Sequence, residues 1–114
     1  MQLATERCGD ALVVRVEEPR IDAAVAIQFK DAMREATRAP GTPVMLDLSR
    51  VDFVDSSGLG ALVTARKYLS AEQRPLELAG MTPPVAKVLR LTRMDSVFTM
   101  HADAPDGEGP ARGA

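Results

Sequence analysis

The run Val44-Met45-Leu46-Asp47-Leu48 is nearly continuous in apolar residues, the pattern of a strand covered on both faces. Ser49-Arg50-Val51-Asp52 leads from it into Phe53 and Val54, and the apolar path then stops at an acid, two hydroxyls and a glycine, Asp55-Ser56-Ser57-Gly58. A helix is predicted from Ser57 to Glu72, with Leu59, Leu62, Val63 and Leu69 on its buried face and Arg66, Lys67 and Glu72 pointing elsewhere. Two serine hydroxyls thus stand beside the positive end of a helix, next to a carboxylate. A phosphate added there would meet free backbone N–H groups. That geometry suits a reversible phosphoserine switch better than a catalytic centre.

The remainder of the chain supplies the partners of that unit. Leu3 to Arg7 and Ala11 to Val16 read as strands joined by the turn Gly9-Asp10, paired antiparallel. Glu17-Glu18-Pro19-Arg20 breaks the sheet, since Pro19 cannot donate to a ladder. Asp22 is placed to cap a helix from Ala23 to Arg38, a segment rich in Ala and free of Gly and Pro. Ala26, Phe29, Met33 and Ala36 form its buried stripe, and Lys30, Asp31, Arg34, Glu35 and Arg38 its solvated side. Val25 and Ile27 fit that stripe poorly, which makes one of them a candidate exposed contact.

Pro40-Gly41-Thr42-Pro43 ends this helix, and Arg74-Pro75 ends the next. Pro75 to Ala79 is a strand with Leu76 and Leu78 on one side, terminated by Gly80. Thr82-Pro83-Pro84 starts a third helix with a capping hydroxyl and a proline at the first helical position, and Val85, Val88, Leu89 and Met94 are its apolar residues. Val97 to Met100 is a last short strand, and residues 102–114 read as a disordered tail behind a domain spanning 1–101. The order β-β-α-β-α-β-α-β gives an α/β domain with a small mixed sheet of four to five strands and three to four helices. Functional loops of such sheets lie beyond the carboxyl ends of parallel strands. The Asp55–Gly58 loop lies at such an end, and Pro19-Arg20-Ile21-Asp22 is expected beside it.

Composition narrows the function. The formal net charge is −2 and no basic block exceeds Arg66-Lys67, which disfavours nucleic acid as a partner. Aromatic residues are only 4% and tryptophan is absent, so stacking on bases is disfavoured too. Cys8, the only cysteine, has no disulfide partner in the chain and no companions for a zinc site. The start Met-Gln-Leu-Ala-Thr-Glu-Arg lacks the basic opening and apolar core of a signal peptide, and no apolar run approaches the roughly 20 residues that span a bilayer. The expectation is a soluble cytoplasmic protein without metal or cofactor and without a membrane partner.

Catalytic readings fare poorly. Asp55-Ser56-Ser57-Gly58 taken alone reads as a helix cap, yet one cap suffices and three capping-type residues are present. Gly58-Leu59-Gly60 begins a dinucleotide fingerprint, but Val63 stands where its third glycine belongs. The Gly-x-Ser-x-Gly elbow of a serine hydrolase is absent around Ser56 and Ser57, and the only histidine, His101, sits at the edge of the tail. The acid pairs Asp52 with Asp55 and Glu17 with Glu18 lack the two-sided arrangement of a glycosidase. Lys30, Lys67 and Lys87 follow no phosphate-cradling loop. The chain is expected not to be an enzyme.

The string Val51-Asp52-Phe53-Val54-Asp55-Ser56-Ser57-Gly58-Leu59-Gly60-Ala61-Leu62 resembles the signature of the STAS domain, shared by sulfate-transporter tails and anti-sigma factor antagonists. The resemblance runs from Leu3 to Met100. Ile21-Asp22 and Ala23 look like the family's first-helix opening, and Val44 to Leu48 like the strand before its phosphorylation loop. Thr82-Pro83-Pro84-Val85 looks like its last-helix start, and Leu91 to Phe98 like its closing segment. The chain departs from the family at Pro19, where many members carry glycine.

The resemblance implies a bacterial anti-anti-sigma factor phosphorylated at Ser56 by an anti-sigma factor serine kinase that supplies the ATP, and reset by a phosphatase. It further implies a partner-binding surface of Asp22, Asp55, Ser56, Ser57, Gly58 and Leu59. The unphosphorylated form would bind the kinase and free its sigma factor. The competing expectation is a non-catalytic STAS adaptor subunit of a stressosome-type or lipid-transport complex.

Overall fold

Leu3–Cys8 (β1) and Ala11–Val16 (β2) form an antiparallel pair, with Leu12, Val13 and Val14 of β2 buried in succession and Gly9 at φ +63° in the turn between the strands. The structure is a computed structural model and describes residues 1–104. Beyond β2 come β3 (Arg20–Ile21), α1 (Ala26–Ala36), β4 (Val44–Asp47), β5 (Phe53–Val54) and α2 (Ser56–Ala71). β6 (Leu76–Ala79), α3 (Pro83–Leu91), a one-turn 3₁₀ helix (Met94–Ser96) and β7 (Met100–His101) complete the order. The main sheet has five strands in the order β1-β2-β4-β6-β7, antiparallel at β1–β2 and parallel elsewhere. A second sheet is the two-stranded parallel pair β3–β5. The fold is the mixed α/β arrangement expected from the sequence.

Register explains the core. Val14 lies opposite Leu46, Leu46 opposite Leu78, and Leu78 opposite Met100, so one row of side chains crosses the sheet on a single face. Phe29 and Met33 of α1, Leu62 and Leu69 of α2, and Val85 and Leu89 of α3 pack into the same cluster, so all three helices cover that face. The alternate positions Val13, Met45 and Ala79 make a smaller cluster on the opposite face. Ala104 is buried against them while Ala102 and Asp103 are exposed; residues 105–114, where the rest of the predicted tail falls, lie outside the described residues. Arg74 locks α1 to the sheet: its guanidinium donates to the carbonyls of Thr37 (2.6 Å), Ala39 (2.9 Å) and Gly41 (3.0 Å).

Several local expectations are corrected. α1 starts at Ala26, not Ala23, and ends at Ala36, and its N-cap is Val25 with no side-chain bond. Asp22 is therefore not the cap. Its carboxylate accepts the Ala24 N–H (3.1 Å) and its carbonyl the Val25 N–H (3.0 Å), which turns the chain once before the helix begins. The segment after β2 does not simply break the sheet: Pro19 lacks a donor, but its carbonyl accepts from Asp52 N–H (2.9 Å) and opens the β3–β5 pair.

α2 begins at Ser56 with Asp55 as cap. Thr82 does precede α3, but its hydroxyl donates to the Val51 carbonyl (2.6 Å) instead of capping the helix. The last strand is Met100–His101, because the 3₁₀ turn draws the Phe98 N–H onto the Met94 carbonyl (3.0 Å). Of the doubtful pair on α1, Ile27 is the exposed one, at 70%.

Phe29 and Ile27 test this arrangement together. Phe29→Ala should cost about 3–5 kcal/mol in urea denaturation, whereas Ile27→Ala should stay within about 0.5 kcal/mol.

Candidate functional site

The short β3–β5 pair sets the geometry of the site. Arg20 lies opposite Phe53 and Ile21 opposite Val54, so Asp22 and Asp55 leave the two parallel strands side by side. The two loops expected to be neighbours are brought together.

Asp55 ties them. Its Oδ1 accepts the Gly58 N–H (2.9 Å), which caps α2, and its Oδ2 accepts the Ala23 N–H (3.0 Å) from the other loop. Its own N–H donates to the Ile21 carbonyl at 3.4 Å. The Gly58 N–H holds the Asp55 carboxyl below its ordinary pKa of 3.8 against partial desolvation, and the Ala23 and Ser57 N–H groups add to the effect. Gly58 is buried directly against this junction. A Cβ there would fall well inside contact distance of the Ile21 carbonyl, and 3.0 Å from Val54 Cγ1. Glycine at 58 therefore permits the close approach of α2 to β3.

With Asp55 as cap, the serines are released from that task. Ser56 and Ser57 occupy the first two positions of α2, both exposed, and neither hydroxyl makes a hydrogen bond among the described residues. Leu59 is half-buried. Asp22 is partly covered, with Arg20 Nη1 at 3.8 Å from its Oδ2. The same guanidinium lies 5.4 Å from the centroid of the Phe53 ring, and Phe53 is 45% exposed. The carboxylate–amide link from Asp55 to Ala23 was not foreseen from the sequence, because it joins residues 32 apart through a backbone donor.

Other chemistry is not assembled here. His101 lies on β7, where its Nε2 pairs with Glu77 Oε1 at 2.7 Å. Among the described residues no group of three or more His, Cys, Asp or Glu could hold a metal, and no helix is long and apolar enough to cross a membrane.

The family model for the STAS domain matches residues 2–106. The chain belongs to the STAS domain family. It is 31% identical over 78 residues to the anti-sigma-B factor antagonist of Listeria monocytogenes, covering 68% of each chain. The fold is shared with an anti-sigma-factor antagonist STAS protein from Planctomyces limnophilus, with a TM-score of 0.78, 21% identity, and coverage of 90% of this chain and 91% of that one. It is also shared with the Bacillus cell fate determinant SpoIIAA in its phosphorylated form, with a TM-score of 0.62, 21% identity, and coverage of 99% and 100%. These relatives support the general role of an anti-sigma factor antagonist, and such STAS proteins are generally non-catalytic.

Two measurements probe the junction. Gly58→Ala should destabilise by about 2 kcal/mol through the clash with β3. Gly60→Ala, whose Cβ meets nothing within 4 Å, should gain about 0.5–1 kcal/mol from helix propensity. In an NMR titration the Asp55 carboxyl should titrate below 3.8. Because the folded-state value is the lower one, its stabilisation is complete above the ordinary value and is lost as pH falls through the folded one. The stability gap between wild type and Asp55→Ala should accordingly narrow on acidification.

Proposed function

We propose that this STAS protein is an anti-sigma factor antagonist worked by phosphorylation of Ser56. The unphosphorylated form binds an anti-sigma factor serine kinase in the cytoplasm and frees its sigma factor; the kinase supplies the ATP, and a phosphatase restores the hydroxyl. One observation carries this reading. The Ser56 hydroxyl is exposed and uncommitted at the first position of α2, while Asp55 already performs the capping. The hydroxyl can therefore be modified without removing a fold-stabilising bond.

Electrostatics supports a switch of binding. Phosphorylation adds about −1.5 to −2 charges. Within the domain the α2 N-terminus tolerates that charge. In an interface built on the neutral hydroxyl together with Asp22, Asp55, Ser57, Gly58 and Leu59, the added charge and bulk are repelled, the more so because two of these residues are acids. A penalty of about 3 kcal/mol corresponds to more than a hundredfold loss of affinity. The one histidine of the chain, on β7, is paired with Glu77 and not with Ser56. That SpoIIAA has been solved in a phosphorylated form agrees with this reading.

A constitutive STAS adaptor in a stressosome-type or lipid-transport complex would use the same surface, and the exposed side chains of Ile27 and Phe53 suit permanent docking. Phosphate labelling by candidate anti-sigma kinases separates the two. The switch predicts labelling that Ser56→Ala abolishes and Ser57→Ala retains, with the phosphorylated form binding the kinase more than about a hundredfold more weakly than Ser56→Ala. Partner binding that is indifferent to phosphorylation would instead establish the adaptor.

A further inference from the structure

Tyr68 lies on α2 twelve residues after Ser56, about 18 Å further along the helix. Its hydroxyl is buried and has no hydrogen-bond partner among the described residues. Buried hydroxyls are seldom left so. Thr37 is the nearest hydroxyl, close enough to act on the phenol although outside full hydrogen-bond geometry; its own proton is given to the Met33 carbonyl at 2.6 Å. The Tyr68 side chain borders a cavity of about 390 Å³ walled by Arg34, Thr37, Arg38, Tyr68, Glu72 and Arg74, a volume in the range of small-molecule sites.

The charges around this cavity are uneven. Arg34 holds its guanidinium 4.8 Å from the Tyr68 ring centroid and pairs with no carboxylate among the described residues. Arg38 follows four residues later; its only ion-pair partner among the described residues is Glu35, at 3.7 Å and largely in solvent, a weak pair. The carbonyls at the end of α1 would repel an anion, but Arg74 already satisfies those of Thr37 and Ala39. Glu72, the one carboxylate in the wall, lies 3.6 Å from that same Arg74. Three guanidiniums thus face one carboxylate, beside a phenol with an unspent proton. Burial raises the Tyr68 phenol above its ordinary pKa of 10.0, with Thr37 and Arg34 pulling the other way, so it remains a donor at neutral pH.

We propose that this cavity binds the phosphate group of a small molecule, gripped by Arg34 and Arg38, with the Tyr68 side chain turning its buried hydroxyl into the cavity to join them. Guanidinium forks and a neutral phenol are matched donors for a tetrahedral oxyanion. The site is separate from Ser56 and does not rest on the proposed switch. It would give the domain a second input, at the far end of the helix that begins at Ser56.

The test is a backbone-amide NMR titration of the full chain with inorganic phosphate, at ionic strength held constant with sodium chloride. Saturable shifts confined to residues 34–38 and 68–74 are expected. Arg34→Gln and Tyr68→Phe should each weaken binding roughly tenfold, while Lys87→Gln, on α3, should leave it unchanged. Arg34 is exposed, so its variant keeps the fold and the test decisive even if Tyr68→Phe disturbs packing. Shifts that rise linearly with phosphate, saturation elsewhere, or equal affinity in wild type and Arg34→Gln would overturn the proposal.

Discussion

One carboxylate joins the two halves of the candidate site. Asp55 accepts from Gly58 within its own helix and from Ala23 in a loop that precedes a different helix. That double acceptance adds to the buried Ile21 and Val54 in holding the β3–β5 pair, whose strands are only two residues long. The buried Gly58 completes the junction by letting α2 settle against the Ile21 carbonyl. The relative placement of Asp22, Asp55 and Ser56 follows from this contact, so the surface that a partner would read is as rigid as the junction beneath it.

The larger elements were readable because they rest on local signals. Phe29 and Met33 lie on one helical stripe, and Val14, Leu46 and Leu78 alternate with residues of the opposite face. Elsewhere long-range bonds override local preference. The Ala-rich stretch after Asp22 has no residue that forbids a helix, yet the N–H groups of Ala23 and Ala24 are taken by carboxylates of Asp55 and Asp22. Thr82 has the chemistry of a cap and spends its hydroxyl on Val51. Pro19 reads as a breaker because it cannot donate, while its carbonyl remains free to begin a ladder.

The candidate site was readable in its residues and not in its division of labour. Three capping-type residues in succession do not reveal which one caps; the bond from Gly58 to Asp55 decides it. Likewise nothing along the chain places Tyr68 near Arg34, because the two meet only through the packing of α1 on α2. Both helices follow the carboxyl ends of the parallel β3–β5 pair, so their amino-terminal ends gather at the acidic junction and their carboxyl-terminal ends at the arginine-lined cavity. The domain is polarised accordingly, with each end carrying side chains opposite in sign to the helix termini it presents.

The separation of capping from exposure has an evolutionary consequence. Since neither hydroxyl at 56 and 57 makes a hydrogen bond among the described residues, replacements there are close to neutral for folding. Under the proposed switch, a lineage could lose, move or reinstate the covalent mark in single mutational steps, while any change at Asp55 or Gly58 first meets the requirement of keeping the chain folded.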